Sequence, residues 1–94
     1  MGIFKSTDDK LKELGFEKTR QTDGGVTYEK REYGTRRERT FYIHVVEINR
    51  KLSGKHLIQS FQKGLNSDKF NNVIGLTYKE NKLFLKKMKE MKLN

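Results

Sequence analysis

The sequence predicts an α+β fold: a four-stranded, mainly antiparallel sheet with a short N-terminal helix and a longer C-terminal helix packed on it. Three observations carry this. The runs Phe41 to Ile48 and His56 to Phe61 are crowded with β-branched and aromatic residues and are joined through Ser53 and Gly54, which reads as a β-hairpin. Thr77 and Glu80 form a capping box that opens a stretch of helical spacing. Ninety-four residues are enough for one hydrophobic core and predict a single domain over 1–94.

The elements follow in order. Ser6 or Thr7 suits the N-cap of the first helix, Asp8 and Asp9 favour its positive end, and Gly15 supplies a left-handed stop. Phe16 then folds back on Leu11, the apolar contact of a Schellman ending. Phe16 to Gln21 and Val26 to Tyr33 read as two strands around Asp23, Gly24 and Gly25. Gly34 to Arg39 is a polar, basic loop into the central strand. In that strand Phe41, Ile43 and Val45 face one way and Tyr42, Val46 and Ile48 the other, as expected of a strand covered on two sides or at a sheet centre. Its partner sets Leu57 and Phe61 against Ile58. A two-residue loop, Ser53-Gly54, and a three-residue loop, Leu52-Ser53-Gly54, both fit, and one residue of slip exchanges the faces.

After Gly64, the Asn- and Ser-rich LNSDKFNNVIG suits a loop, with room for a short strand at Asn72 to Ile74. The last helix runs from Tyr78 to about Lys92, with Phe84, Leu85, Met88 and Met91 on one stripe and Lys79, Lys82, Lys86 and Lys89 on another.

Composition bounds the function. Hydrophobic residues make up 33% and charged residues 35%, so the ten aromatics must supply much of the buried area. The absence of cysteine removes disulfides, thiolate nucleophiles and Cys-based zinc sites and suits a cytoplasmic protein. No apolar stretch approaches the roughly 20 residues of a membrane span, and the N-terminus lacks a secretory core. The net charge is +9, with six basic against two acidic groups over 77–94, which favours an acidic partner such as a nucleic acid or an acidic host protein.

The string SGKHLIQSFQKGLNSDKFNNVIGLTYKE, Ser53 to Glu80, together with KLKELGF and LFLKKMK, resembles small uncharacterised proteins carried by phages and prophages of low-GC Gram-positive bacteria. The resemblance spans about Lys10 to Lys92. It implies a bacterial or phage cytoplasmic setting and an accessory role, and it transfers no activity and no site residue.

Candidate chemistry is sparse. His44 and His56 are the only histidines; on facing strands they would approach each other or Glu47 to form a base or part of a metal site, but His56 pairs near Asn49 to Lys51, several residues away, and no third ligand is suitably spaced. Structural strand histidines are the commoner outcome. The lone GK at Gly54 lacks the rest of a phosphate loop. No catalytic residue, metal or cofactor is expected. Met1-Gly2-Ile3-Phe4-Lys5-Ser6 fits the N-myristoylation pattern, a modification that a bacterial host lacks.

Aromatic and basic groups carry more weight together. Tyr28, Tyr33, Phe41 and Tyr42 beside Arg31, Arg36, Arg37 and Arg39 have the composition of a surface that stacks bases and neutralises phosphates, and Lys82, Lys86 and Lys89 add a basic stripe. Against this stands the ordinary use of such rings as the core of a small domain. The function expected is a non-catalytic binding module with an acidic partner, favouring nucleic acid. The alternative is a protein-interaction or self-assembly module directed at a host factor, working through a sheet edge or an exposed apolar patch.

Overall fold

In the computed structural model, which describes residues 5–33, 41–50, 54–64 and 67–92, both helix starts are built as the sequence requires. Ser6 caps α1 (Thr7–Glu13) and Thr77 caps α2 (Tyr78–Glu90), each in a reciprocal box with the residue three positions on, Asp9 and Glu80. The end of α1 is a Schellman motif: Phe16 N–H donates to Leu11 C=O, Gly15 N–H donates to Lys12 C=O, and Gly15 takes φ of 97°. This turn drops the Phe16 ring into the core.

Five strands form one sheet in sequential order: β1 (Glu17–Thr22), β2 (Gly25–Tyr33), β3 (Phe41–Arg50), β4 (His56–Gly64) and β5 (Ser67–Val73). All neighbours pair antiparallel. The four expected strands are present, and β5 extends the β4 edge over a longer stretch than Asn72 to Ile74. The β1–β2 reversal closes at Thr22 and Gly25, where a Cβ on Gly25 would lie 2.6 Å from the Ile48 carbonyl oxygen; only glycine lets β3 come this close. Between β3 and β4 the last pair is Arg50 with His56, so residues 51–55 separate the strands and neither short loop applies.

Register sorts the side chains. Val26 and Tyr28 of β2, His44, Val46 and Ile48 of β3, and Ile58 of β4 face the helices. There they join Leu11, Phe16, Leu83 and Phe84, with Met88 and Met91 at the margin. Phe84 sets its edge to Phe16 and Tyr28, with centroids 5.3 and 5.5 Å away, so α2 packs on the sheet. Leu83 is buried and Leu85 is 51% exposed, a rotation of the apolar stripe from the one expected. The odd-numbered residues of β2, β3 and β4 form the outer face of the sheet.

Arg36, Arg37, Arg39 and Gly2 lie outside the described residues, and so do the side chains of Tyr33 and Phe41. No helix among the described residues is long and apolar enough to cross a membrane.

Candidate nucleic-acid interface

The two helices lie side by side in opposite directions. Thr7 Oγ1, at the start of α1, donates to the Glu90 carboxylate at the end of α2, and Lys87 Nζ lies 3.1 Å from Asp8 Oδ1. The other end of α1 therefore meets the start of α2. Between them opens a groove of about 600 Å³ lined by Lys5, Lys10, Glu13, Tyr78, Lys79, Lys82, Leu83 and Lys86. Five lysines face one glutamate, and that glutamate is already paired with Lys5. The Glu13 hydrogen bond and charge hold the Lys5 ammonium above its ordinary pKa. Among the described residues, Lys10, Lys79, Lys82 and Lys86 form no ion pair.

Tyr78 sits one residue past the Thr77 cap and is 80% exposed, and Lys82 Nζ lies 5.2 Å from its ring centroid, one helical turn on. An open aromatic face beside unpaired ammonium groups is suited to a stacked base and its phosphates.

The residues expected at a binding surface are dispersed. Lys82 and Lys86 line the groove, and Lys89 is exposed on the same helical stripe, outside the groove lining. Arg31 is exposed on the outer face of the sheet. Tyr28 requires a correction: it is 1% exposed, lies under Phe84, and its hydroxyl donates to Asp8, so its ring has no face to offer a base. Burial pushes its phenol far above the ordinary range, and the bond to Asp8 adds to the shift. The sequence reading missed Lys5, Lys10 and Tyr78. Only Tyr78, an aromatic beside a cap where the helix starts in solvent, carried a local signal.

His44 is a buried strand histidine with partners other than His56 and Glu47. It is 2% exposed and edge-on to Phe16, its Nε2 lies 2.6 Å from Ser60 Oγ, and its Nδ1 lies 3.3 Å from Glu32 Oε1. With the proton on Nδ1, the imidazole donates to Glu32 and accepts from the Ser60 hydroxyl. The order serine, histidine, carboxylate matches a nucleophile, base and orienting group. Ser60, however, lies within β4, paired with Val46, and its carbonyl accepts from Ile74 N–H, so the geometry is that of a satisfied polar cluster at the core margin. His56 Nε2 lies 3.1 Å from the Gly24 carbonyl oxygen, far from His44. Among the described residues no group of three or more His, Cys, Asp or Glu is placed to hold a metal ion.

Comparison with protein-family models, with curated proteins and with solved structures returns no match, so the geometry of the chain itself is the ground for a functional reading.

Proposed function

We propose that the protein is a non-catalytic binding module whose α1–α2 groove takes the backbone of a single-stranded nucleic acid, with Tyr78 stacking on a base. One observation carries this: five lysines and an open tyrosine ring share a groove whose single carboxylate is already engaged. The net charge of +9 draws polyanions to the molecule, and the groove gives that attraction a location.

Titration of a fluorescent single-stranded oligonucleotide by anisotropy, over a salt series, tests the reading. Three or four phosphate contacts give a slope of log K against log salt of about −2 to −3, at ~0.7 per contact for single strands. Replacing Lys79, Lys82 and Lys86 by Gln flattens the slope by about 2, and Tyr78→Ala weakens binding by ~1–3 kcal/mol. Absence of binding at low salt, or a slope that survives the triple replacement, defeats the proposal.

A further inference from the structure

We propose that the outer face of the sheet is a twofold interface between two copies of this chain. Register alone places Arg31, Ile43 and Lys63 in one row across β2, β3 and β4. The next row runs Glu17, Glu29, Val45, Phe61 and Val73 across β1 to β5. Both helices pack on the opposite face. Val73 is 92% exposed, Ile43, Leu57 and Phe61 are half-buried, and Val45 between them is 5% exposed, so this face offers partly open apolar groups around a valine that is already buried.

Charge selects the occupant. The described charged side chains on this face are Glu17, Glu29 and Glu47 with Arg20, Arg31 and Lys63, which cancel. The chain as a whole carries +9, so two copies repel through most orientations and meet without that penalty only through a balanced surface. An acidic partner of the kind that suits the lysine groove finds no net attraction here.

The two rows are also self-complementary. A twofold axis lying between the sheets, perpendicular to the strands and midway between the rows, sets Arg31 of one copy over Glu29 of the other, and the reverse. It sets Ile43 over Val45, and the Lys63 ammonium over the Phe61 ring. Five strands about 4.8 Å apart, of 6, 9, 10, 9 and 7 residues rising about 3.3 Å each, make a face of roughly 650 Å² per copy. Two such faces give roughly 1,300 Å², within the range of specific interfaces.

Sedimentation equilibrium over a concentration series into the millimolar range tests this on the whole chain, with circular dichroism as the check on folding. The wild type is expected to pass from 11.1 kDa to twice that mass. Arg31→Glu and Glu29→Arg each set like charges over one another and raise the dimer dissociation constant by at least about tenfold. The double exchange, Arg31→Glu with Glu29→Arg, restores dimerisation because each new charge meets its opposite across the axis. Ile43→Lys, at a half-buried surface position, gives a folded monomer. A wild type that stays at 11.1 kDa throughout overturns the proposal. So does a dimer that is indifferent to both single reversals and to Ile43→Lys, or a double exchange that fails to restore it.

Discussion

Asp8 joins both helices to the sheet, and Asp8→Asn measures that junction. Its carboxylate accepts from the Tyr28 hydroxyl of β2 and lies 3.1 Å from both Lys18 Nζ of β1 and Lys87 Nζ of α2. Burial alone would push the carboxyl up, but the hydrogen bonds from Tyr28, Lys18 and Lys87 outweigh it and hold the group below its ordinary value of 3.8. A hydrogen bond to a charged group contributes ~1.5–3 kcal/mol, and Asn still accepts from Tyr28, so part of that survives. Lys18 is 36% exposed and its pair is worth only ~0–1 kcal/mol, whereas the Lys87 pair is better shielded. The expected loss is about 2 kcal/mol at neutral pH, or about 8–16 °C in Tm for a domain of this size. Because the folded pKa lies below the unfolded one, the stabilisation is present above 3.8 and is lost as the pH falls through the folded value. Urea titrations of wild type and Asp8→Asn, followed by circular dichroism, should therefore differ at neutral pH and converge as the pH falls through the folded value. A difference below about 0.5 kcal/mol at neutral pH, or one that stays constant into acid, refutes the reasoning.

Three further expectations follow from packing and backbone geometry. Phe84→Ala opens a cavity between Phe16 and Tyr28 and should cost ~3–5 kcal/mol, a large part of the stability of a small domain, read as a collapse of the urea midpoint. Gly25→Ala brings a Cβ against the Ile48 carbonyl and should cost ~1–3 kcal/mol, while Gly24→Ala, with nothing within 4 Å, should change stability by less than ~0.5 kcal/mol; equal effects in thermal melts would contradict the close approach of β3 to Gly25. Thr77→Ala removes the acceptor of Glu80 N–H and should cost ~1 kcal/mol in the same melts, without changing oligonucleotide affinity.

What was legible in the sequence was local. Gly15, Phe16, Thr77 and Glu80 declare their roles within five residues of themselves and the structure builds each as read, and of the two caps open to α1, Ser6 and Thr7, it uses Ser6. Strand alternation sorted the residues of β3, and of β4, into two sides, but which side of one strand lies beside which of the other waited on the register. The strand β5 was only partly visible because an edge strand is made by main-chain pairing with its neighbour, and NSDKFNN has few strand-forming side chains. Helical spacing gave α2 an apolar stripe but not its rotation, which the Phe16 and Tyr28 rings fix by receiving Phe84 and drawing Leu83 inward. His44 finds Glu32, diagonal to it across β2, rather than Glu47 on its own strand, a consequence of register that no spacing displays. The groove was hidden for the same reason: Lys10 and Lys86 meet only once α1 lies along α2.

The positive groove arises from where the acids go. The described helical segments hold five, and each is engaged: Asp9 and Glu80 close the capping boxes, Asp8 accepts from Tyr28, Glu90 accepts from Thr7, and Glu13 pairs with Lys5. Among the described residues Lys10, Lys79, Lys82 and Lys86 are left without carboxylate partners, and Lys82 and Lys86 stand one turn apart, where like charges disfavour the helix by ~0.2–0.5 kcal/mol. Apart from the Lys82 contact with the Tyr78 ring, these lysines therefore contribute nothing to folding that an uncharged side chain of similar length would not. Replacing Lys79, Lys82 and Lys86 by Gln should leave the urea midpoint unchanged or raise it slightly, by up to about 0.5 kcal/mol, with the loss of the Lys82 contact to Tyr78 offsetting part of the gain. Under the proposed function, the same variant loses oligonucleotide binding. A destabilisation of more than about 1 kcal/mol would show that the lysines serve the fold, and the charge of the groove would then need no ligand to explain it.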